Sequence, residues 1–482
     1  MAVTSLDFIS VGQLWPPPSE IERFTKYEEN RMLFEGKHDL IYNGWIKLLR
    51  EDQKATLEII LNWHKRLSTL WADMLLGEPP KFKSEPEDAV TKYTTDKFLN
   101  NCYMTILDVS RFGDGLLKVR LKNGKAIIEP NTPQVWIPIT SFDNVQEVLA
   151  HVLAWVIQKV DAKGRDIYFL RVEIHTIGLI QNKLFELKQN FDQTMAKFEI
   201  GKEIELSTIA EFKEVLPVQE TGIDDFLVIP IHNLITSDRA TGFDDYSDID
   251  SIIQELEIRI AQLSKILDEH AAPTLAGPDS LRRIDPRTGQ VSFDGLGRYI
   301  PMAPEDSVPQ YLTWDVQIEA IRYEIDTLLQ QLYIISETSA AAFGDLKQGL
   351  AESGSALKRL MLAPLAKVNR LRLRIDPALK KALTIASELE VVNGVVGAKR
   401  ITNVKIEWQD GLPADDTERA MIDSQEYAAG IASLDTILRR RGFEGEALEA
   451  EKKLLEEAQK AEVVTVPEIN LNNASGSNTG GA

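Results

Sequence analysis

Cysteine is nearly absent: one residue, Cys102, stands in a chain of 482. No intramolecular disulfide can form, which suits a reducing cytoplasm. No basic neighbour is placed to stabilise a Cys102 thiolate, so a buried, inert thiol is expected. Long apolar runs are missing as well. The most apolar stretch, around Val148 to Ile157, is too short and too interrupted to span a bilayer. The opening MAVTSLDFISVGQLWPPPSE lacks both a basic region and an apolar core, so no membrane and no secretion are expected. Histidine is sparse. His38, His64, His151, His175, His232 and His270 are scattered, none at metal-ligand spacing from another histidine or the cysteine. Positive charge is in deficit, with 54 Lys and Arg against 74 Asp and Glu, a net of −20. That excludes a surface built to coat nucleic acid, though DNA can still pass along an acidic wall that does not grip it.

Catalytic signatures are missing too. Gly349 and Gly354 have the spacing of a phosphate-binding loop, but Ser355-Ala356 stands where Lys-Ser or Lys-Thr is needed, and no apolar strand precedes it. No G-x-S-x-G, H-E-x-x-H, EF-hand or dinucleotide glycine fingerprint occurs. Asp244, Asp245, Asp248 and Asp250 sit where a helix starts. There carboxylates favour the positive end of the helix dipole, a better account than a metal site. No catalytic residue, cofactor or metal is expected.

What is present is a soluble globular composition, 44% apolar and 27% charged, long enough for several subdomains. The chain is organised around two amphipathic helices. Ile249, Ile253, Leu256, Ile260, Leu263 and Leu267 fall at steps of four and three. Ile318, Ile321, Ile325, Leu328, Leu332 and Ile335 repeat that alternation. Ser247 and Asp315 are the expected N-caps. Each helix would be about 32 to 33 Å long at roughly 1.5 Å per residue, a matched pair of struts. An ordinary helical hairpin in a globular core is the plain alternative.

Ahead of the struts come a proline-stiffened arm through Pro18, a helix closed by Gly36, and a helical block from Asn43 to Leu76 stopped by Pro79-Pro80. The period then shifts towards two. Asn123-Gly124 marks a tight hairpin. VLAHVLAWVIQKV and RDIYFLRVEIHTIGLI pair across Asp161 to Gly164, and Asn182 to Gln189 continues the meander. Between the struts, Ala271 to Asp315 carries six prolines and four glycines, too long for a turn, with a short β-hairpin at Thr288-Gly289. After the second strut comes a loop of small residues, Ser336 to Ser355. A helix from Ala356 to about Val392, bent at Pro364 and Pro377, holds eight bases and one acid between Lys358 and Lys381. Three readings of that run stand open: a solvated face, ion pairing with an acidic neighbouring subunit, and phosphate contact. A strand VKIEW, helices from Asp415-Asp416 through Lys460 and a tail NNASGSNTGGA, expected to be disordered, complete the chain. The fold class is α+β, mainly helical.

Several stretches, in this order, resemble the portal (head-to-tail connector) proteins of long-tailed double-stranded-DNA bacteriophages. They are YEENRMLFEG (Tyr27 to Gly36), NWHKRLSTLWADMLLGEPP (Asn62 to Pro80) and GFDDYSDIDSIIQELEIRIAQLSKILDEH (Gly242 to His270). ISETSAAAFG (Ile335 to Gly344), SGSALKRLM (Ser353 to Met361) and WQDGLPADDTERA (Trp408 to Ala420) follow.

The resemblance implies a portal-type subunit of a homo-oligomeric ring, a dodecamer, at one capsid vertex. Residues 1–245 would be an arm and α+β wing, and 246–270 the outgoing stem helix. The clip would take 271–315, the returning stem helix 316–335 and the tunnel loop 336–355. A bent wing helix and strand would cover 356–410, a helical crown 411–462 and the tail 463–482. Phe343, Asp345, Lys347 and Gln348 would face DNA on the loop. Glu255, Glu257, Asp268, Glu324 and Asp326 would form an acidic channel wall, and Arg282, Arg283 and Arg287 would meet clip partners. Lys358, Arg359, Lys367, Arg370, Arg372 and Arg374 would serve intersubunit or DNA contact. Implied partners are the terminase large subunit, which hydrolyses the ATP, a head-completion adaptor, the capsid and scaffolding proteins, and the DNA in the channel. The protein would be made in the bacterial cytoplasm and end in the virion. The competing reading is a helical adaptor without a channel; a hydrolase with an unrecognised site ranks last.

Overall fold

The computed structural model describes residues 3–42, 59–161, 163–190, 197–271, 274–278, 283–284, 287, 291–292, 298–302, 310–311, 315–345, 354–409, 416–443 and 445–463. The described residues mix helix and strand, with helix the larger share, the mainly helical α+β class expected. Strand β1 (Leu14–Trp15) precedes helix α1 (Ile21–Glu35), which Gly36 ends in the left-handed conformation at φ 80°. A single turn, α2 (His38–Ile41), follows. Most of the expected helical block, residues 43–58, lies outside the described residues. Its described end is α3 (Trp63–Leu76), capped by the Asn62 side chain, which accepts from the Lys65 amide. Then come β2 (Lys81–Glu85) and α4 (Asp96–Phe112), capped by Thr95.

Strands β3 (Asp114–Lys122) and β4 (Lys125–Asn131) form the Asn-Gly hairpin. Asn123 and Gly124 take φ of 51° and 70°, the positive pair that a two-residue turn between right-twisted strands needs. Strands β5 (Trp136–Thr140), β6 (Val148–Val160), β7 (Asp166–Thr176), β8 (Leu179–Gln189) and β9 (Phe198–Ile204) make an antiparallel meander, with β10 (Val218–Glu220) added to β8. The run expected as a single strand to Ile180 breaks at Ile177-Gly178, where Gly178 turns at φ 78° and β8 begins. Strand β11 (Val228–His232) joins β3 and β4 in a second sheet.

The struts are α5 (Asp250–Ala271) and α6 (Asp315–Ile335). Between them, β12 (Thr274–Pro278) pairs with β15 (Arg298–Met302) and β16 (Gln310–Tyr311). β13 (Arg283–Ile284) pairs antiparallel with β14 (Val291–Ser292), the strands of the short hairpin expected there. The basic helix is two helices, α7 (Gly354–Leu360) and α8 (Leu362–Val392). The break falls at Met361, ahead of the expected bend at Pro364. Pro364 sits in the first turn of α8, where its missing amide has no intrahelical partner to lose. β17 (Thr402–Glu407) pairs with β2, and α9 (Asp416–Ala428), α10 (Leu434–Arg440) and α11 (Gly445–Val463) end the described chain. The tail beyond residue 463 lies outside it.

Two compact units result, residues 1–346 with 359–412, and residues 347–358 with 413–482. In the first, the meander is covered on both faces. Ile137, Val152, Leu170, Val172, Ile174 and Phe185 pack with Ile9 and Trp15 of the arm on one side. Leu153 with Trp136, and Phe169 with Leu184, pack on the other. A strand buried on both faces loses polar alternation, which is why β6 is the most apolar stretch of the sequence. Among the described residues no helix is long and apolar enough to cross a membrane. Among the described residues of the second unit, the buried apolar side chains are Ala432, Ile437, Leu438 and Leu448. Ion pairs Arg440–Glu426 at 2.5 Å and Arg441–Asp423 at 2.9 Å tie α10 to α9.

Candidate functional site

The root of the outgoing strut is built by a close backbone approach. Gly113, which ends α4, meets Gly242. A Cβ on Gly242 would lie 2.1 Å from the Gly113 carbonyl oxygen, so no side chain fits. The Asp244 carboxylate then accepts from the amides of Tyr246 and Ser247 at 2.9 and 2.8 Å and holds the turn before α5. Ser247 is therefore a donor to Asp244 rather than the expected N-cap.

The aspartates here do more than complement a dipole. The Asp245 side chain is largely covered and accepts from Lys367 Nζ, Asn233 Nδ2 and Ser110 Oγ, each at 2.7 Å. Asp250 accepts from Lys26 Nζ at 2.9 Å and His64 Nε2 at 2.8 Å. Burial raises the Asp250 carboxyl, but the bond from His64 and the Lys26 charge outweigh it and hold the group below its ordinary value. Burial lowers His64, more than Asp250 can restore, so the imidazole is neutral and donates from Nε2. Tyr246 is fully buried, its hydroxyl 2.7 Å from Ser68 and its ring edge-on to His64. Among the described residues no three His, Cys, Asp or Glu are placed to hold a metal ion. Cys102 is buried, and burial pushes its thiol well up, as expected of an inert thiol.

Along the outgoing strut burial falls outwards. Ile249, Ile253 and Leu256 are sealed, whereas Leu267 is 50% exposed. On α6, Leu332 is buried and Tyr323 is 76% exposed. Arg259 joins the two helices as an ion pair, 2.7 Å from Glu255 and 2.9 Å from Glu324. Of the acids expected on a wall, Glu255 and Glu324 are thus partly exposed and shared by one arginine, and Asp326 is exposed. The Asp268 side chain lies outside the described residues. Glu257 departs from the expectation. It is 4% exposed, with Oε1 2.6 Å from His38 Nδ1 and accepting the Leu61 amide at 2.9 Å. It faces the protein interior and anchors the strut to α2.

The segment after α6 turns back on the root. Ser339 caps a 3-10 turn, Ala340–Phe343, and Gly344 ends it in the left-handed conformation. Phe343 does not project from a loop. Its ring is perpendicular to Trp63 at 5.2 Å between centroids and stacks on Tyr333 at 6.0 Å, in a joint that Leu67, Ile249 and Leu332 complete. Asp345 is exposed; Lys347 and Gln348 lie outside the described residues.

The basic run is largely consumed within the chain, which none of its three readings foresaw. Lys367 is buried on Asp245 with Nζ 4.4 Å from the Trp71 ring centre. Arg370 pairs with Glu337, Arg372 donates to the Gln409 carbonyl and stacks on Trp408, and Arg374 donates to the Asn233 carbonyl at 2.8 Å. Lys380 and Lys381 meet Asp376 and Asp225. Only Lys358 and Arg359 of the six expected contacts are well exposed. In the inter-strut segment Arg287 is exposed, Arg282 lies outside the described residues, and so does the Arg283 side chain.

What was missed is the set of partners at the root: Lys26, His38, His64 and Ser110. They sit more than a hundred residues from their acids in sequence, and no local pattern marks such pairs.

No curated protein matches the chain. Among solved structures, the neck of a native gene transfer agent (GTA) particle computed with C12 symmetry is 14% identical, with 79% of this chain and 89% of that chain covered and a TM-score of 0.38. The neck of an empty GTA particle computed with C6 symmetry is 11% identical, covering 77% and 87%, with a TM-score of 0.38. A chain of the native GTA virion is 12% identical over the same shares, with a TM-score of 0.35. The family model described as phage portal protein, SPP1 Gp6-like, matches residues 18–463, nearly the whole chain. The chain belongs to the SPP1 Gp6-like family of phage portal proteins.

Proposed function

We propose that this chain is the subunit of a closed portal ring that conducts double-stranded DNA into and out of a capsid. It would dock the terminase large subunit and, later, a head-completion adaptor. The observation that carries this reading is the family match from residue 18 to 463, which takes in both struts and the segments on either side. In this reading residues 1–245 are arm and wing, 246–270 and 316–335 the stem, 271–315 the clip, 336–355 the tunnel loop and 411–462 the crown. The role is structural, and the ATP is hydrolysed elsewhere.

The physical features fit passage rather than grip. Glu255, Glu324 and Asp326 put carboxylates on the stem of a chain of net −20, and a wall of that sign repels phosphates instead of holding them. Glu257 leaves the proposed wall because it is spent on His38. Phe343 becomes the anchor of the tunnel loop, which leaves Asp345 and the residues after it to meet DNA. The basic helix serves mainly to fasten stem, loop and wing to one another. The test is the native mass of the purified chain with negative-stain images of the same fraction. A ring of roughly a dozen subunits around a central channel is expected, the closed cyclic symmetry such a channel requires. A stable monomer or dimer, unchanged by added scaffolding and capsid proteins, would contradict the reading.

A further inference from the structure

Helix α8 presents a face that its own unit leaves uncovered. Leu362, Ala366, Asn369 and Leu373 are all exposed and follow one another at steps of four, three and four. That alternation lays them in one line along the helix, the spacing of a seam that receives another helix or a ridge of side chains. Leu362 is 71% and Leu373 77% exposed, while Val368, Leu371 and Ile375 on the opposite side are sealed in the core. The exposed line is thus uncharged, with Leu362, Ala366 and Leu373 apolar and Asn369 polar, and within the described chain only the opposite face is buried. A solvated helix places charge there instead.

The charges beside this seam are already committed. Lys367, Arg370, Arg372 and Arg374 bond Asp245, Glu337, Gln409 and Asn233, all within this unit. Phosphate contact is therefore a poor use of the face, because a nucleic acid would have to compete for cations that are taken. The sign of the local field still matters. From Gly354 to Ile375 there is no acidic residue, in a chain whose total is −20. A stretch with an excess of bases on a strongly acidic protein is complementary to the rest of that protein's own surface. A closed ring needs such pairs, since each subunit must offer two different faces to its two neighbours.

We infer that the Leu362–Ala366–Asn369–Leu373 seam of α8 is an intersubunit face, covered in the assembly by a second copy of this chain. The inference rests on the ring reading above and names the residues through which one subunit meets the next. The experiment places the photo-crosslinking amino acid p-benzoylphenylalanine at Leu373 in the full-length chain and irradiates the assembled fraction. Covalent dimers and larger multiples of the chain are expected on a denaturing gel. In parallel, Leu373→Glu combined with Leu362→Glu should lower the assembled fraction at least tenfold, at a concentration where the unaltered chain is fully assembled. Both positions face solvent in the subunit, so its far-ultraviolet circular dichroism should not change. Unaltered protein that forms no ring removes the ring reading and this inference together. A ring that crosslinks at Leu373 only within the monomer, or not at all, overturns this inference alone. So does full assembly of the double variant.

Discussion

The two ends of the strut hairpin differ in kind. At the root, Tyr246, Ile249, Ile253 and Leu256 are sealed, and Asp245, Asp250 and Glu257 are each held by partners from other elements. Towards the far end Leu267 is half exposed, Tyr323 stands in solvent and Arg259 supplies the tie between the helices. One sequence periodicity runs through both halves, and on the outgoing strut its burial weakens from sealed residues at the root to partly buried ones and then the half-exposed Leu267. The root is part of the core of the chain, and the outer half is a partly covered surface.

The largest expected effect comes from breaking the root. Leu256→Asp places a carboxylate in a sealed apolar site with no partner and should cost roughly 4 kcal/mol or more, seen as a loss of cooperative unfolding or a steep drop in Tm. A variant with unchanged Tm would mean that the root is not core.

A smaller effect should come from acid. Burial first, then the charges of His175, Lys381 and His232, push His151 down to about 3. His64 at the root and His175 in the meander are lowered too, in each case chiefly by burial. These groups are neutral in the folded chain but take up protons in the unfolded chain below about pH 6.5, so stability is full above that value and is lost as pH falls towards 3. His151 alone should remove about 2 kcal/mol by pH 5. Chemical denaturation at pH 7.5 and pH 5 measures it, and a flat profile would show that the imidazoles are reached by water.

The smallest effect on the subunit belongs to the outer half. Tyr323→Ala should alter subunit stability by less than about 0.5 kcal/mol, because the side chain has little to lose in the isolated chain. It should nevertheless weaken assembly, which a concentration series in sedimentation velocity would reveal. A large loss of subunit stability would instead place Tyr323 in a core of its own chain.

The periodic elements were legible in the sequence because their causes are local. The four-three stripes mark α5 and α6, and Asn123-Gly124 admits little but a tight turn. The fold class and the family followed from the order of those elements and the motifs between them. Other features were not legible, for reasons that are also physical. The turn at Ile177-Gly178 lies inside an apolar run, where one glycine is the whole signal. The helix break falls at Met361 because a proline in a first turn needs no accommodation, so Pro364 could only mark the neighbourhood. Glu257 looked like any acid on a helix, and its burial depends on His38, 219 residues away. Phe343 looked exposed amid alanines and glycines, and its anchoring needs Trp63 and Tyr333, brought together only by the fold.

Hydrogen–deuterium exchange on the isolated subunit and on the assembled ring, compared peptide by peptide, tests the account most directly. Amides at the root, residues 249–257, should be strongly protected in both states. Those of the outer half, residues 260–271 and 315–328, should exchange quickly in the subunit and become protected only in the ring. An outer half equally protected in the lone subunit would contradict the account, as would a preparation that yields no ring at all.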